Sequence, residues 1–207
     1  MEILDDAKYD DVALISPSSK ELWEELVATA VAAYRVYLNA TDPIEALNLF
    51  QRFRVLCVLR ESPFGVDALN RLIEQALHGA GLIRTREFWY RGRPVLVTRN
   101  DYQLHLYNGD IGMLWPEAEN EGRMRAYFMA ADGTLRILSP ARLPEHQTVY
   151  AMTVHKSQGS EFDRVLLLLP EKDNPLLTRE LIYTGITRAR RKVDVWGNGT
   201  LFRPSME

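Results

Sequence analysis

The sequence has 207 residues, of which 46% are hydrophobic and 26% charged, a composition typical of a globular protein with a buried core. The apolar run 165–169 is far too short to cross a bilayer, and the acidic residues of 1–11 argue against a signal peptide. The single cysteine, Cys57, excludes an intrachain disulfide or a cysteine-based zinc site. The net charge of −3 argues against a general polyanion-binding protein, although residues 51–207, with 18 acidic and 22 basic side chains, favour any nucleic-acid contact there. A cytoplasmic protein with no membrane partner is expected.

Residues 12–100 alternate between apolar runs and helical periodicities. An apolar run from Val12, ended by Ser16 and Pro17, predicts a buried strand, and Ser18 or Ser19 can cap the helix that follows. Asp42-Pro43 predicts the start of a second helix that reaches about residue 52. Further strands are predicted at 54–59 and 94–98, with an amphipathic helix at 66–78 between them.

The pattern changes at Asp101. Short β-like segments at 111–115, 125–129 and 135–138 are separated by turn signals at 108–109, 120–122 and 132–133. Strands at 149–154, 164–169 and 193–196 and a helix at 178–190 follow. Apolar strands that alternate with helices predict an α/β fold, a parallel sheet with helices on both faces, interrupted by a small inserted β-barrel at 101–145.

A polar segment with a glycine, 153–162, directly follows a predicted strand. Such a strand end exposes backbone N–H groups, which suit a phosphate. Thr153, Lys156 and Ser157 add donors for phosphate oxygens, and Glu161 can accept a hydrogen bond from a sugar hydroxyl. A strand-to-loop connection without any ligand is the alternative interpretation.

The predicted helix 178–190 carries a second group of polar side chains. Its spacing puts Tyr183 and Thr187 on one face and Thr184 and Arg188 on the neighbouring face. An arginine held on a rigid helix beside hydroxyl groups can act as an arginine finger on a transferring phosphoryl group. The alternative is a surface helix whose arginines contact solvent or acidic neighbours.

In this order, 153–162 resembles motif V and 180–190 resembles motif VI of the superfamily-one DNA helicases, and 155–162 is most similar to their RecD branch. Stretches 63–70 and 97–112 resemble the same branch after motif IV and at the start of its inserted barrel. The resemblance covers about 12–196. It implies a second RecA-like motor domain, formed by 1–100 and 146–207, with a small β-barrel of the Src-homology type at 101–145.

The resemblance also implies roles for the matching residues. Arg188 would be the arginine finger on the γ-phosphate of ATP, and motif VI would be supported by Tyr183, Thr184 and Thr187. Nucleotide contacts would come from Gln158, Gly159, Glu161 and, with a looser match, Arg60. DNA contacts would come from Thr153, His155, Lys156, Ser157, Asn100 and Asn108. No metal ligand is expected.

A P-loop needs Gly-x-x-x-x-Gly-Lys-Ser/Thr, and no Gly-Lys pair occurs in the sequence. ATP and Mg²⁺ are therefore expected to be bound mainly by an upstream P-loop motor domain, without which this chain should not hydrolyse ATP. The resemblance implies single-stranded or duplex-end DNA and other exodeoxyribonuclease V subunits as partners, in recombinational repair. The alternatives are a non-catalytic module that binds single-stranded DNA or a protein and, less closely, a relaxase-helicase. Trp115 or Tyr107 is a candidate base-stacking residue.

Overall fold

The protein is described by a computed structural model that covers residues 12–15, 19–84, 88–118, 120–130, 132–172 and 174–197. Residues 16–18, predicted to end the first strand and cap the first helix, lie outside these ranges. The chain forms two compact units: a parallel-sheet unit (Met1–Ala33, Gln51–Ile73 and Tyr150–Glu207) and an antiparallel-sheet unit (Tyr34–Phe50 and Glu74–Val149). Within the described ranges, no helix combines the length and apolar character needed to cross a membrane.

The helices and strands alternate along the chain. The helices are α1 Ser19–Leu38, α2 Pro43–Phe50, α3 Val66–Gly79 and α4 Arg179–Ile186. The strands are β1 Val12–Ile15, β2 Phe53–Cys57, β3 Pro94–Val97, β4 Ile111–Pro116, β5 Met124–Met129, β6 Leu135–Leu138, β7 His146–Thr148, β8 Ala151–Thr153, β9 Phe162–Leu168 and β10 Ala189–Trp196.

The parallel-sheet unit has five parallel strands in the order β1-β10-β9-β2-β8. The central strands β2 and β9 contain continuous apolar runs, and Val55, Leu166 and Leu167 are completely buried. Strands covered on both faces have this pattern, because neither face alternates with solvent. The predicted α/β fold with a parallel sheet is confirmed for this unit.

The carboxyl ends of the parallel strands meet at one edge of the sheet. Cys57 pairs in register with both Thr153 and Leu168, so β2, β8 and β9 end at the same level. Phe162 and Ala189 pair at the opposite, amino edge, where β9 and β10 begin. The segment between Thr153 and Phe162 therefore passes from the carboxyl edge of the sheet to its amino edge.

The antiparallel-sheet unit has five strands in the order β6-β5-β4-β3-β7. One core contains buried side chains from three of its strands and from a loop, namely Val95, Val97, Leu106, Leu114, Ala126 and Phe128, and Leu138 of β6 packs against it. The predicted turn at 132–133 is confirmed, since Gly133 has φ +81° and Asp132 Oδ1 accepts a hydrogen bond from Thr134 N at 2.9 Å.

Helix α2 lies in the same unit and packs against β4 and β5. Its predicted start is confirmed: Asp42 Oδ1 accepts hydrogen bonds from the backbone nitrogens of Ile44 and Glu45 at 2.9 Å, and Pro43 follows the cap. The helix ends at Phe50, whose ring stacks on Tyr34 at a centroid distance of 5.6 Å.

The structure differs from the prediction on both sides of the predicted barrel. Strand β3, predicted to precede the barrel, pairs with β4 and β7 in the antiparallel sheet. The strand predicted at 149–154 is confirmed as the shorter β8 of the parallel sheet, whereas β7, just before it, was not predicted and lies in the antiparallel sheet. The antiparallel sheet thus extends beyond 101–145 at both ends, because β7 is a short polar strand whose pairing no apolar run signals.

Candidate functional site

The segment after β8 folds into one short helical turn and then an extended loop. His155–Ser157 form a 3₁₀ turn, and Thr153 Oγ1 accepts a hydrogen bond from Lys156 N at 3.2 Å. The side chains of His155, Lys156 and Gln158 are exposed. This turn presents one basic side chain and one imidazole to solvent at the carboxyl edge of the sheet, which suits contact with an anion.

Ser157 does not share that exposure. Its side chain is completely buried, and its hydroxyl donates a hydrogen bond to Val154 O at 2.7 Å. A DNA contact by Ser157 is incompatible with this position, because the hydroxyl is committed within its own turn. Its effect is to hold the turn that carries His155 and Lys156.

Gly159 bends the chain away from that turn. Its φ is +84°, a left-handed conformation that side chains with a Cβ rarely adopt, and a Cβ built there would meet nothing within 4 Å. The glycine is therefore required by backbone conformation and not by crowding. The open space beside it leaves room for a ligand.

Helix α4 carries the second predicted group and is shorter than expected. Thr178 caps it by accepting a hydrogen bond from Leu181 N at 3.2 Å, and it ends at Ile186, not at residue 190. The chain turns at Thr187 and enters β10 at Ala189. The prediction that Arg188 lies within a helix was wrong. The buried Val193, Val195 and Trp196 place their segment in β10, and the arginine-rich residues before them begin that strand.

The guanidinium of Arg188 is nevertheless held firmly. Its Nε donates to Thr184 O at 3.2 Å, its Nη1 donates to Ser160 O at 3.2 Å, and its Nη2 contacts Thr187 Oγ1 at 3.3 Å. The residue is half-buried. Its carbonyl also accepts a hydrogen bond from Phe162 N at 2.8 Å. The structure thus brings together the segment after β8 and the end of α4, with Arg188 as the link.

The predicted support residues of this helix differ in environment. Thr184 Oγ1 donates to Glu180 O at 2.7 Å and Thr187 Oγ1 donates to Thr184 O at 3.0 Å, so both hydroxyls tighten the last turns of α4. Tyr183, in contrast, is 69% exposed. The threonines therefore position the carbonyl that Arg188 contacts, whereas the ring of Tyr183 faces solvent.

Glu161 lies beside this cluster. Its Oε2 accepts a hydrogen bond from Arg190 Nε at 2.9 Å, in an ion pair whose side chains are 55% and 61% exposed. Exposed pairs of this kind contribute about 0–1 kcal/mol, so the carboxylate can exchange this partner for a hydroxyl group at little cost.

Arg60 lies in the loop after β2, at the carboxyl edge of the sheet, and its side chain is exposed. Its carbonyl accepts a hydrogen bond from Asp67 N at 3.4 Å at the start of α3. The backbone of Arg188 lies at the amino edge. The described contacts do not bring Arg60 together with Arg188.

Asn100 and Asn108 belong to the antiparallel-sheet unit. Asn100 Oδ1 accepts a hydrogen bond from Asn108 N at 2.8 Å, so the structure brings these two predicted residues together. Both are exposed. Trp115, a candidate for base stacking, is only 3% exposed and lies beneath the guanidinium of Arg91 at 3.8 Å, so it has no open ring face for a base. Tyr107 is 43% exposed.

Sequence reasoning missed two positioning residues. The side chain of Asn70 donates to Ala151 O at 3.0 Å and accepts from the backbone nitrogens of Tyr150 and Ala151 at 2.7 and 2.9 Å, and so fastens the edge strand β8. Gly185 lets α4 approach the sheet, since a Cβ there would lie 3.1 Å from the methyl groups of Leu167. The sequence offered two signals for these residues: Asn70 is a polar residue on the apolar face of α3, and Gly185 is a glycine inside a helix.

Among the residues that the structure describes, no group of three or more His, Cys, Asp or Glu side chains is arranged to hold a metal ion. Cys57 is buried, and burial, with a smaller contribution from the charge of Asp67, raises the pKa of its thiol to about 12. The thiol is therefore protonated at neutral pH and is unsuited to nucleophilic or metal-binding chemistry.

Comparison with known proteins places these features in a family. Residues 148–195 match the family model described as the UvrD-like helicase C-terminal domain. The RecD subunit of the RecBCD enzyme from Mycolicibacterium smegmatis is 44% identical over 166 residues, covering 80% of this chain and 29% of that protein. The corresponding subunit from Haemophilus influenzae is 33% identical over 203 residues, covering 88% and 30%.

The ATP-dependent RecD2 DNA helicase of Deinococcus radiodurans is 40% identical over 139 residues, covering 66% of this chain and 19% of that protein. A crystal structure of Pif1 helicase from Bacteroides in complex with ADP-AlF3 and ssDNA has a TM-score of 0.42 and 15% identity, over 82% of this chain and 48% of that one. This likeness is too distant to support an inference about the site. The chain spans less than a third of the length of the RecD and RecD2 relatives. Their matches confirm the predicted resemblance: the chain belongs to the RecD branch of superfamily-one DNA helicases and corresponds to the C-terminal part of these proteins.

Proposed function

We propose that this chain is the second RecA-like motor domain of an ATP-dependent DNA helicase, in which Arg188 acts as the arginine finger. The observation that carries the proposal is the position of the Arg188 guanidinium, half-buried and held by Thr184 O and Ser160 O at 3.2 Å. A cation fixed in this way needs little reorganisation to meet a developing negative charge. Gly159 directly precedes Ser160, and a Cβ built on it would meet no atom within 4 Å, so its backbone is open to a phosphate group.

In this proposal ATP, with its magnesium ion, supplies the phosphoanhydride bond that is cleaved. Both are held mainly by a P-loop domain, because the Gly-Lys signature does not occur in these residues. Arg188 stabilises charge on the γ-phosphate only when the two motor domains close. Glu161 and Gln158 lie on the loop that Arg188 contacts and would face the nucleotide, and Arg60 is assigned to the same nucleotide on resemblance alone.

The same loop gives the proposal its coupling between nucleotide and DNA. Thr153, His155 and Lys156 lie at the carboxyl end of β8, only a few residues before the carbonyl of Ser160 that holds Arg188. A movement of Arg188 on domain closure would therefore pull on the segment that contacts the DNA backbone. We expect Lys156→Ala to weaken single-stranded DNA binding and to reduce its salt slope by about 0.7, the value for one phosphate contact. The exposed Lys192→Ala serves as a charge-matched control. Equal salt slopes for the two variants would contradict the DNA contact.

We further propose that the segment predicted at 101–145, together with β3 and β7, is the inserted β-barrel of the Src-homology type. Its support is the core that buried residues of β3, β4 and β5 share, with Leu138 of β6 packed against it, which favours a curved sheet over a flat one. Asn100 and Asn108 would lie along the DNA path on this unit.

The relatives named as RecBCD subunits suggest the wider setting. We propose that the full-length protein works with other subunits of an exodeoxyribonuclease V on single-stranded or duplex-end DNA, in recombinational repair. A non-catalytic module that binds single-stranded DNA or a protein remains the second candidate, because these residues contain no P-loop signature. The held position of Arg188 favours the motor, since a binding module needs no phosphate-facing arginine at this point.

The test compares ground-state and transition-state binding in the full-length protein that joins this chain to the P-loop domain. With single-stranded DNA present, Arg188→Ala should bind ADP like the wild type but bind ADP with aluminium fluoride at least about a hundredfold more weakly, because the arginine interacts with charge that develops in the transition state. The neighbouring exposed Arg191→Ala should bind both as the wild type does. If Arg188→Ala lost affinity equally for ADP and for ADP with aluminium fluoride, the role of the arginine as a finger would be contradicted.

A further inference from the structure

A loop on the antiparallel-sheet unit exposes two tyrosine rings side by side. Tyr102 is 72% exposed and Tyr107 is 43% exposed. Their ring centroids lie 6.2 Å apart at an interplanar angle of 71°, so the edge of one ring faces the other. This contact leaves the greater part of the Tyr102 ring in solvent, where a flat ligand can reach it.

The loop is held rigid at its base. Asp101 and Leu106 exchange backbone hydrogen bonds at 2.7 and 3.0 Å, which closes the turn that contains Tyr102. Asp101 Oδ1 also accepts hydrogen bonds from the backbone nitrogens of Gln103 and Leu104 at 3.0 Å. Leu106 is completely buried in the core, and Leu104 packs against it. The tyrosines therefore project from a fixed frame and lose little freedom when a ligand binds.

Polar contacts link the two tyrosines to the predicted DNA residues. Asn100 Nδ2 donates to Tyr102 Oη at 3.4 Å, and Asn100 Oδ1 accepts from Asn108 N. Tyr107 N donates to Asp110 Oδ2 at 2.8 Å, which fixes the backbone at the second ring. The amide of Asn100 thus links Tyr102 to Asn108, and the ring contact with Tyr102 adds Tyr107 to the same surface.

Positive charge borders this surface. Arg136 Nη1 donates to His105 O at 2.8 Å, which places a guanidinium beside the turn and holds His105 at φ +52°, a conformation uncommon for residues other than glycine. Arg99, at the other side of Asn100, is exposed. The carboxylates of Asp101 and Asp110 are engaged by backbone N–H groups, which offset part of their negative charge.

We propose that Tyr102 and Tyr107 form a stacking platform for the bases of single-stranded DNA. The occupant is a nucleic-acid strand, because the amide of Asn100 contacts Tyr102 and the guanidinium of Arg136 lies beside the turn that carries the rings, and both groups suit a polyanion. Every base has a flat face that can stack on an exposed tyrosine, so the platform is tolerant of sequence. This inference rests on the proposed function of the chain as part of a DNA-binding motor.

The test measures binding of a labelled oligothymidine and of an abasic oligonucleotide of the same length to the full-length protein, by fluorescence anisotropy. Tyr102→Ala should raise the Kd for oligothymidine roughly 5- to 150-fold, the loss expected for one stacked base. Tyr102→Phe should bind nearly as the wild type does, because stacking uses the ring and not the hydroxyl. On the abasic strand Tyr102→Ala and the wild type should bind alike. Tyr107→Ala should follow the pattern of Tyr102→Ala.

Phe88→Ala is the matched control, since Phe88 is a 68% exposed aromatic residue of the same unit outside this loop. Wild-type affinity of both tyrosine-to-alanine variants for oligothymidine would overturn the platform while leaving the motor proposal intact. Equal affinity of the wild type for thymidine and abasic strands would overturn it as well, independently of how any variant folds. A wild type that binds neither strand would overturn both the platform and the proposed function.

Discussion

Replacing Asn70 by alanine tests how the edge strand β8 is held in register for the segment that follows it. Asn70 makes three hydrogen bonds to β8 and the residue before it: two accepted from the backbone nitrogens of Tyr150 and Ala151 and one donated to Ala151 O. Both Tyr150 and Ala151 are completely buried. Asn70→Ala removes these three contacts together.

The expected decrease in the free energy of unfolding follows from the backbone groups that lose their partner in Asn70→Ala. A buried backbone group that loses its partner costs about 1–3 kcal/mol, and three such groups set an upper limit near 9 kcal/mol. Because β8 is an edge strand, water and small shifts recover part of that loss, and we expect about 3 kcal/mol. In a chain of this size 1 kcal/mol lowers the Tm by about 2–4 °C, so the expected decrease is about 6–12 °C.

The assay combines thermal unfolding with hydrogen exchange resolved to single amides. Asn70→Ala should lower the Tm and speed exchange at the amides of Tyr150 and Ala151 more than elsewhere in the sheet. Arg71→Ala, an exposed change one residue further along α3, should stay within about 0.5 kcal/mol of the wild type. Unchanged protection of those two amides in Asn70→Ala would refute the reasoning, whatever the Tm.

Three further outcomes are expected. Cys57 should resist alkylation in the folded protein at pH 8 and react on unfolding, and rapid labelling of the native protein would contradict its burial. Burial raises the pKa of its thiol from 9.0 to about 12. The stability that the protonated thiol contributes is therefore complete below about pH 9 and is lost between pH 9 and 12, as the thiol of the unfolded chain ionises first. Gly185→Val should lower the free energy of unfolding by about 1–3 kcal/mol in chemical denaturation, since a Cβ at this position would already lie 3.1 Å from Leu167. Gly185→Ala should be near neutral, because its gain in helix propensity offsets the tight contact. Equal stability of the two variants would argue against close packing of α4. Gly159→Ala should cost about 1–2 kcal/mol through its positive φ alone, and a neutral result in the same denaturation assay would contradict the required left-handed turn.

The sequence was informative where one element's own residues decide its structure. The apolar run of β9 requires a buried strand in any context, and Asp42-Pro43 and Gly133 specify a cap and a turn through their own side chains and conformations. Strand β3 shows the limit: all four of its residues are buried, and such a run reads the same in a parallel or an antiparallel sheet. Its partner β7 is polar, so the pairing could not be read from hydrophobicity.

The candidate site shows the same division. The order of the two motifs identified the segments around Lys156 and Arg188, but local pattern could not reveal that Ser157 turns inward or that α4 stops at Ile186. The inward position of Ser157 depends on how its turn packs on the rest of the unit, although its hydrogen-bond partner, Val154 O, lies in the same turn. Arg188 leaves the helix because β10 pairs with β9. Propensity alone favours helix in this arginine-rich stretch, and tertiary pairing overrides it.

The most direct measurement of the central claim is ATP hydrolysis stimulated by single-stranded DNA, in the full-length protein, for the wild type and for Arg188→Ala. The proposed role predicts a decrease in turnover of about a thousandfold or more, with single-stranded DNA binding largely kept. Arg188→Lys should restore little of the lost turnover, because one ammonium group cannot replace the contacts with Thr184 O and Ser160 O and also reach a phosphate. The exposed Arg191→Ala should hydrolyse ATP as the wild type does. Normal turnover by Arg188→Ala would contradict the account and favour a binding module in place of a motor domain.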